Sequence, residues 1–543
     1  MIVLNNLSGE ISIMNHITEL RIEGFKKFKS INISFNEKKN IIIGENEAGK
    51  SSIIEAISIV LNQKYKNSDK SVLKDLFNRE CIEKFEDNPS VDTLPFIKIE
   101  LVMELDNHKA HSIDFFGEQN YSKKVKYGIV FLCKFNDEFA TELSSFISEK
   151  HIPYEYYNLT WTMFSGNSYS MLRKPLEYLA IETSNSDSTS SFNYYNKSLF
   201  SSSFDDNTKM SARNTFRNEL EGIVSNKLGL KNIDDNRCFG IDTKKVILES
   251  VLNVMDNKIP LENKGSGMEN LIKTEIAMSK KEYIDVVSIE EPENHLSYSN
   301  MQKMLENITN KSGAQMIITT HNDMIATRLN LNNVMWLNNN QIMKFNELDD
   351  KVANFFEKAE SNNLLHFILS EKVILVEGPT EYLLLPKFYE QITNKKIEED
   401  KVSIISCNGI SYSNYKTIAE FMNKKVSIIT DNDKNNEKIE TANEDNKKSS
   451  YVNVFMDQNP GRWTWEVCLY KDNKETLDEL FPINEKYEYL VKGEKPETKT
   501  LGWMLNNKTD GAYKILTYKD EENKGLELVV PEYIRKAIEW VKE

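Results

Sequence analysis

A short segment near the start of the chain has the residue types and spacing of a phosphate-binding loop. The run Gly-Glu-Asn-Glu-Ala-Gly-Lys-Ser, from Gly44 to Ser51, fits the pattern GxxxxGK[ST] and lies between an apolar stretch and a stretch with helical periodicity. Backbone N–H groups of such a loop favour phosphate, while Lys50 would reach the β- and γ-phosphates and Ser51 would coordinate Mg²⁺. The pattern therefore predicts an ATP–Mg²⁺ site lined by Gly44, Asn46, Gly49, Lys50, Ser51 and Ser52.

A cluster of acids lies farther along the same region. Glu290-Glu291-Pro292-Glu293 follows the strand-like stretch Ile284–Ile289, so its carboxylates lie at the C-terminal end of a buried strand, where parallel sheets bind ligands. The segment resembles a Walker B motif, although Glu290 stands where the usual residue is Asp. The carboxylate of Glu290 would hold Mg²⁺ through its water shell, and Glu291 would orient or deprotonate the attacking water.

Two more acidic motifs occur in the last third of the chain. An EGPTE motif spans Glu377 to Glu381 and a DND motif spans Asp431 to Asp433; they follow the first and third strands of one βαβαβ pattern. Because the C-terminal ends of parallel strands share one sheet edge, these acids are expected to lie together. Carboxylates collected in this way suit hard cations such as Mg²⁺ or Mn²⁺ rather than zinc.

The elements that must position these motifs form two α/β regions. Residues 14–350 are predicted to form the first domain and residues 365–543 the second. The periodicity weakens at about 150–245, which indicates an inserted, mainly helical segment containing the Ser/Asn/Asp-rich tract Ser184–Asn207. In the second region, Lys434–Ser450 is predicted to be a polar loop. Further strands are predicted at Leu20–Ile22, Ile31–Phe35, Ile41–Ile43, Phe96–Leu105, Tyr127–Phe135, Met316–Thr320 and Val402–Ser406.

The composition excludes some classes of protein. In 543 residues, 40% are hydrophobic and 28% are charged, and no apolar run reaches the ~18 residues needed to span a bilayer, so a membrane role is excluded. Five widely separated cysteines predict neither a disulfide framework nor a zinc site, which favours the reducing cytoplasm. Met1–Ile13 lacks the features of a signal peptide, and Met14 is the expected natural start.

The net charge of −15 argues against a protein that simply coats nucleic acid, because phosphate binding depends on a local excess of Lys and Arg. Two basic clusters are candidates for such contacts. The first comprises Arg21, Lys26, Lys27 and Lys29, and the second Lys123, Lys124 and Lys126.

The order of motifs in residues 14–350 resembles that of ABC-type ATPases of the SMC and DNA-repair type. His321, after Met316–Thr320, corresponds to the histidine that senses the γ-phosphate in that class. Gly265-Ser266-Gly267, at the start of a helical stretch, resembles a degenerate ABC signature, in which Ser266 would contact ATP held by another subunit. The resemblance implies ATP-driven pairing of heads. No heptad stretch is long enough for an SMC coiled coil, so the inserted segment would serve another purpose, such as dimerisation.

Residues 365–543 resemble a Toprim domain, whose hallmark is Glu after the first strand and DxD after the third. The resemblance implies that Glu377, Asp431 and Asp433 are the central metal ligands and catalytic acids. It adds Glu381 and Glu466 as further metal ligands and Lys508 as a lysine near the scissile phosphate. Metal ions held there would activate water and stabilise the leaving oxygen of a phosphodiester.

An ABC-type ATPase followed by a Toprim domain is the arrangement of the OLD (overcoming lysogenization defect) family. Its members include defence nucleases such as those of Gabija and retron-associated effectors. The resemblance implies a cytoplasmic, nucleotide-regulated, Mg²⁺-dependent endonuclease that cuts or nicks DNA, in antiphage defence. It also implies a homo-oligomer, dimer or tetramer, that works with a partner protein or a retron RNA–DNA.

Three alternatives are compatible with parts of the pattern. A Toprim nuclease can cut RNA or tRNA as a toxin, although no RNA-reading module is visible. An ATP-dependent sensor or scaffold without nuclease activity would be expected to have lost the Toprim acids, which are all present. A topoisomerase or primase would require further domains, for which no room remains after residue 500.

Overall fold

The computed structural model divides the chain into two compact units. The first runs from Met1 to Asn346 and the second from Glu347 to Glu543. The structure describes residues 14–106, 111–141, 146–147, 150–181, 196–197, 199–201, 203–226, 237, 241–242, 245–279, 284–294, 296–311, 313–358, 363–407, 412–481, 495–519 and 525–543. The segment before Met14 and most of the Ser184–Asn207 tract therefore lie outside the described residues.

The first unit contains two main sheets with helices around them. Its strands are β1 (His16–Phe25), β2 (Phe28–Ser34), β3 (Lys39–Ile43), β4 (Ile97–Glu104), β5 (Phe116–Gly117), β6 (Lys126–Phe135), β7 (Tyr157–Met163), β8 (Tyr178–Ile181), β9 (Met255–Asp256), β10 (Ile259–Pro260), β11 (Val286–Glu290), β12 (Gln315–Thr320), β13 (Val334–Asn338) and β14 (Gln341–Lys344). Its helices are α1 (Lys50–Leu61), α2 (Leu73–Leu76), α3 (Arg79–Asp87), α4 (Asp206–Asn226), α5 (Leu248–Val251), α6 (Ser266–Ser279), α7 (Tyr298–Lys311) and α8 (Asp323–Arg328).

The second unit has one four-stranded sheet between helices. Its strands are β15 (Lys372–Val376), β16 (Val402–Ser406), β17 (Val426–Ile429) and β18 (Val452–Phe455). Its helices are α9 (Asp350–Lys358), α10 (Leu364–Leu369), α11 (Pro379–Thr393), α12 (Tyr412–Phe421), α13 (Asn436–Lys448), α14 (Trp465–Asp472), α15 (Lys474–Leu480), α16 (Lys499–Asn506), α17 (Lys508–Thr517) and α18 (Glu532–Lys542). The α/β class predicted from the sequence is confirmed for both units.

The antiparallel sheet of the first unit has the order β2-β1-β4-β6-β5, with β7 also paired to β6. Its strands alternate apolar and polar residues as the sequence predicts; in β2, Ile31 and Ile33 are buried while the residues between and after them are exposed. The inward side chains share one apolar core with Ile53 and Ile57 of α1. This sheet therefore supports the helix that follows the phosphate-binding loop.

The second sheet of the first unit, in the order β14-β13-β3-β12-β11-β8, is parallel except for the edge strand β14. The register pairs Ile43 with Thr320 and Glu290 with Thr319. The C-terminal ends of β3, β12 and β11 therefore lie side by side. The residues that follow these strands, from Gly44, Glu291 and His321 onward, are brought to one edge of the sheet, where parallel sheets place their ligands.

The segment at about 150–245 was predicted to be an inserted, mainly helical region, but its first part contains strands of the two main sheets. Tyr157–Met163 is β7 of the antiparallel sheet, and Tyr178–Ile181 is β8, which pairs with β11. The weak pattern in this stretch has a physical reason: β7 buries only Tyr157, Trp161 and Met163 fully, and polar residues lie between them. Among the described residues after residue 200, the main element of this stretch is the helix α4.

The four strands that the structure describes in the second unit are parallel, in the order β16-β15-β17-β18. Val376 at the end of β15 pairs with both Ser406 and Ile429. The EGPTE motif after β15 and the DND motif after β17 therefore leave the sheet at neighbouring positions on one edge.

The prediction of a polar loop at Lys434–Ser450 was wrong, because residues 436–448 form α13. Asn435 begins this helix by accepting a hydrogen bond from the Lys438 backbone N–H, at 3.2 Å. Only Ile439 and Ala442 of the helix are buried, so the apolar face is too narrow to produce a clear periodicity. Packing of those two residues on the sheet side stabilises a helix that its own composition predicts poorly.

The structure bears on three properties expected from composition. Among the described residues, no helix is both long and apolar enough to cross a bilayer. Cys81, Cys133, Cys407 and Cys468 are free thiols, and Cys238 lies outside the described set. Several cations of the two basic clusters are already neutralised by acids: ion pairs join Arg21 to Glu23, Lys26 to Glu55, Lys29 to Glu80 and Lys126 to Glu19.

Candidate functional sites

The phosphate-binding loop joins β3 to α1 in a conformation that requires glycine. Gly49 caps the helix with φ 108°, in the left-handed region. The Lys50 side chain is buried, and its ammonium donates hydrogen bonds to the carbonyl oxygens of Gly44 at 2.9 Å and Glu45 at 3.1 Å. A Cβ at Gly44 would lie 2.8 Å from the Leu337 carbonyl oxygen. The loop is thus wrapped around its own lysine and packed against β13.

A pocket of about 330 Å³ opens beside this loop, and its lining includes most of the predicted nucleotide-binding residues. The lining residues are Lys27, Asn46, Glu47, Gly49, Lys50, Ser51, Ser52 and Glu291. Lys27, which the sequence placed in a basic cluster for nucleic-acid contacts, therefore lies at the pocket beside the phosphate-binding loop. Gly44 takes part through its carbonyl oxygen, which holds the Lys50 ammonium.

The acids after β11 face the same lysine. Glu290 is buried at the strand end, and Glu291 has φ 40°, with its N–H donating to the Thr319 carbonyl oxygen at 2.9 Å. Burial lowers the pKa of Lys50, while the negative charges of Glu291, Glu293 and Glu290 act to raise it. A left-handed backbone at a residue other than glycine is strained, at a cost of about 1–3 kcal/mol. The surrounding structure holds Glu291 in that conformation, with its side chain at the pocket.

Glu293 is a residue whose role the sequence did not predict. One of its oxygens, Oε1, accepts hydrogen bonds from the Thr320 hydroxyl at 2.7 Å and the His321 N–H at 2.8 Å. The His321 ring nitrogen Nδ1 lies 3.3 Å from Glu293 Oε1 and 3.6 Å from Glu291 Oε1. Glu293 therefore ties the loop after β12 to the loop after β11 and holds the histidine beside Glu291.

The predicted signature serine, Ser266, is the first residue of α6. Its side chain lies outside the described part of the structure. Its contact with a nucleotide therefore stays a prediction. Gly265, directly before it, borders open space, because a Cβ added there would have no atom within 4 Å.

Gly49→Ala is expected to lower the free energy of unfolding of the first unit by about 2–4 kcal/mol and to weaken ATP binding. The new Cβ would lie 2.5 Å from Phe28 Cζ, on a residue already at φ 108°. Calorimetric unfolding of the full chain, with ATP binding measured in parallel, tests this. Gly265→Ala is the matched control for stability, since its Cβ would meet nothing within 4 Å. Equal unfolding of the two variants would contradict the packing argument.

In the second unit, the structure gathers acids around Asp431. Its Oδ1 accepts a hydrogen bond from the Trp465 backbone N–H at 2.9 Å. Burial, followed by the charges of Glu466 and Glu377, raises the pKa of Asp431 to about 8, although Lys508 opposes the shift. Burial also raises the pKa of Glu381 to about 7, and the charge of Glu466 adds to the effect. These acids therefore repel one another in a partly desolvated place.

Glu466 and Lys508 come together in this centre. Glu466 is 3% exposed in the first turn of α14, and the Lys508 ammonium at the start of α17 lies 2.9 Å from its Oε2. Thr464 caps α14 and fixes its first turn at the centre. Burial lowers the pKa of Lys508, but the charge and hydrogen bond of Glu466 outweigh it and the pKa is raised. Lys508 therefore stays protonated beside the acids.

Asp433 lies at the exposed side of the same centre. It has φ 53°, and its Oδ2 accepts a hydrogen bond from the Lys438 ammonium at 2.8 Å. Lys438 also donates to the backbone oxygen of Asp431 at 2.6 Å. The Thr430 hydroxyl donates to Glu377 Oε1. The sequence analysis missed Lys438 and Thr430, although the helix-capping Asn435 before a polar stretch was a local signal for the helix that carries the lysine.

The donor set of this centre fits a divalent cation in kind and in charge. Carboxylate oxygens are the ligands of Mg²⁺ and Mn²⁺, and a cation would relieve the repulsion that raises the pKa values of Asp431 and Glu381. Within the described ranges, no three acidic, histidine or cysteine side chains already form a closed coordination shell. The acids therefore lie on one edge of the sheet, but their side chains do not converge on one position as the ligands of a bound ion would.

Two models of protein families match the chain. The Toprim domain of proteins like the overcoming lysogenization defect protein matches residues 368–433, which contain both acidic motifs. The AAA ATPase domain matches residues 16–221 and 193–326, together more than half of the chain, and these contain the loop, the acids after β11 and His321.

Relatives with curated names match one or both units. Endonuclease GajA of Bacillus cereus (strain HuB5-5) is 22% identical over 87% of this chain and 84% of its own length. The Old nuclease of Escherichia phage P2 is 26% identical over 25% of each chain. Among solved structures, the ATP complex of the recombination mediator protein RecF is similar to 61% of this chain and 99% of its own, with 11% identity and a TM-score of 0.35.

Proposed function

Because the chain belongs to the OLD family of proteins that join an ATPase domain to a Toprim domain, we propose that it is a nucleotide-regulated, divalent-metal-dependent endonuclease that cuts or nicks DNA. The observation that carries the proposal is the centre around Asp431. Four carboxylates and a protonated lysine meet there at the edge of a parallel sheet, and burial and mutual repulsion raise the pKa of Asp431 to about 8. Desolvated acids that raise one another's pKa values are typical of functional sites.

The residues of the centre around Asp431 have separate roles in phosphodiester hydrolysis. Glu377, Asp431 and Asp433 hold the metal, Mg²⁺ or Mn²⁺, with Glu381 and Glu466 as further ligands. The metal, when bound, supplies an activated water and stabilises the leaving oxygen. Lys508, held 2.9 Å from Glu466, offsets the charge that develops on the scissile phosphate. Thr430 orients Glu377 through the hydrogen bond from its hydroxyl.

ATP binding belongs to the other unit and acts on cleavage by conformation. Lys50 and the loop N–H groups hold the phosphates, while Ser51 and Glu290 hold the nucleotide's Mg²⁺. Glu291 orients the attacking water, His321 senses the γ-phosphate, and Ser266 of another subunit completes the site. This last contact requires a homo-oligomer, a dimer or a tetramer, whose heads pair on ATP.

The biological setting that we propose follows from the family. The nuclease acts in the cytoplasm in antiphage defence, together with a defence-system partner protein or a retron RNA–DNA. Its relative GajA is named an endonuclease, which supports nucleic acid as the substrate.

One experiment separates the proposed activity from its alternatives. The purified chain is incubated with supercoiled plasmid, linear DNA and tRNA, with Mg²⁺, Mn²⁺ or EDTA, with and without ATP. We expect nicked or linear plasmid only when a divalent ion is present, because the carboxylates alone supply no activated water. Cleavage of tRNA but not DNA would indicate an RNase, and a full rate in EDTA would refute the metal mechanism. No cleavage of any substrate would favour a sensor or scaffold.

A further inference from the structure

Lys438 places a positive charge on the DND motif itself. Its Nζ atom lies 2.8 Å from Asp433 Oδ2, 2.6 Å from the backbone oxygen of Asp431 and 3.4 Å from the Thr430 hydroxyl oxygen. The Thr430 hydroxyl in turn donates to Glu377. One ammonium therefore contacts three oxygens of the turn that carries the metal-binding acids.

The contact is built into the fold rather than made by a free surface chain. Lys438 lies in the first turn of α13, whose N-terminal cap Asn435 is fixed by its bond to the Lys438 N–H. Its side chain is 25% exposed, whereas that of Asp433 is 62% exposed. Burial acts to lower the pKa of Lys438, but the hydrogen bond and charge of Asp433 outweigh it and the pKa is raised. The lysine is thus a charged group held beside an open carboxylate.

We propose that Lys438 is a built-in competitor of the divalent cation for Asp433, so that metal binding at this acid requires displacement of the Lys438 ammonium. The inference rests on the proposed function of the centre. The Lys438 ammonium and a divalent cation cannot both bind the Asp433 carboxylate tightly, because two positive charges a few ångströms apart repel strongly. The ammonium also covers the Asp431 backbone oxygen, an oxygen of the kind that hard cations accept. Lys438 would therefore set the metal concentration at which the nuclease becomes competent.

The test is direct measurement of metal binding. Isothermal titration of the nucleotide-free full chain with MnCl₂ is compared between wild type and Lys438→Gln, and the part of the signal that Asp431→Ala removes is assigned to this centre. We expect Lys438→Gln to bind Mn²⁺ about five- to tenfold more tightly, the range expected for removing a partly exposed, charge-assisted contact. Thermal unfolding in EDTA shows whether the variant is folded.

The matched control is Lys448→Gln. Lys448 lies on the same helix, ten residues on, and is 71% exposed, so its substitution removes the same charge about 15 Å away along the helix. It should leave Mn²⁺ affinity unchanged. If Lys438 acts mainly through Asp433, its substitution should tighten Mn²⁺ binding much less in an Asp433→Asn background, where the carboxylate is absent.

Each outcome decides between specific explanations. Unchanged or weaker Mn²⁺ binding by Lys438→Gln would overturn the inference, and weaker binding would mean that the lysine orients Asp433 for the metal. Equal tightening by Lys448→Gln would assign the effect to net charge and overturn it as well. If the wild type has no Mn²⁺ signal that Asp431→Ala removes, the metal site fails, and with it the proposed function. If the wild type binds Mn²⁺ at this centre and Lys438→Gln binds it with the same affinity, only the proposed competition between Lys438 and the metal is refuted.

Discussion

Replacing Asp431 with alanine is expected to abolish nucleic-acid cleavage while leaving ATP binding intact. Asp431 is the acid on which the charges of Glu466, Glu377 and Glu381 converge, so its loss removes the central ligand of the metal. Loss of a partner that only orients a metal ligand costs about 10–100-fold in activity, so loss of the ligand should cost more than a hundredfold. The nucleotide pocket lies in the first unit and contains none of these residues. Plasmid cleavage and ATP binding are measured on the same preparation, to test the expected loss of cleavage and the expected retention of ATP binding.

Asp431→Asn distinguishes loss of chemistry from loss of folding. The amide keeps an oxygen for the hydrogen bond from the Trp465 N–H and cannot ionise, so it avoids the free-energy cost that burial and the neighbouring acids impose on this group. We therefore expect its thermal midpoint in EDTA to equal or exceed that of wild type, with cleavage still lost. Normal cutting by both variants would remove the centre around Asp431 from the reaction. A marked loss of stability in the Asn variant would make Asp431 a structural residue.

The sequence was sufficient to predict the sheet edges on which both centres are built. Each predicted strand that leads into a motif is present: β3 before the loop, β11 ending at Glu290, and β15 and β17 before the two acidic motifs. These strands are short, almost entirely buried and mostly apolar, because both of their faces are covered. Burial of that kind leaves a strong signal in composition, and the parallel topology then fixes which ends meet.

Amphipathic elements with a narrow buried face were harder to predict. Helix α13 presents only Ile439 and Ala442 to the core, and its many Asn, Glu and Lys residues are also typical of a loop. Strand β8 is fully apolar but only four residues long, so nothing local distinguishes it from a buried helical turn. For β8 the deciding interaction comes from a distant part of the chain, through its pairing with β11.

The residues that orient the functional side chains were missed for the same reason. The sequence indicated Glu293 only as one acid of a cluster. Its hydrogen bonds join it to the Thr320 hydroxyl and the His321 N–H, which lie 27 and 28 residues farther along the chain. Thr430 reaches Glu377 across 53 positions. Such contacts depend on the register between neighbouring strands, which residue spacing along one segment does not specify. The motifs named the residues proposed to contact ligands, whereas the hydrogen bonds that orient those residues required the structure.

Glu291→Gln is expected to bind ATP, hydrolyse it at least about a hundredfold more slowly, and hold cleavage at its ATP-bound level. Glu291 lies at the nucleotide pocket, with its carboxylate fixed by a hydrogen bond from Asn294 at 3.0 Å and lying 3.6 Å from the His321 ring. A glutamine keeps the size and the bond from Asn294 but cannot accept a proton from water. ATP hydrolysis, ATP binding and plasmid cutting are measured across one ATP titration for this variant and wild type.

Lys50→Ala is the opposite variant, because it removes the ammonium that holds the loop through Gly44 and Glu45 and should weaken ATP binding itself. It should therefore keep cleavage at the nucleotide-free level at every ATP concentration. The acids of the second unit can assemble metal without a γ-phosphate, so ATP must act by shifting a conformational equilibrium rather than by entering the bond-breaking step. A coupling free energy of about 1–3 kcal/mol between two sites changes activity roughly 5- to 150-fold, which is enough for a switch. If wild type, Glu291→Gln and Lys50→Ala respond identically to ATP, the first unit does not regulate the nuclease. If instead Glu291→Gln behaves as Lys50→Ala does, hydrolysis rather than binding supplies the signal.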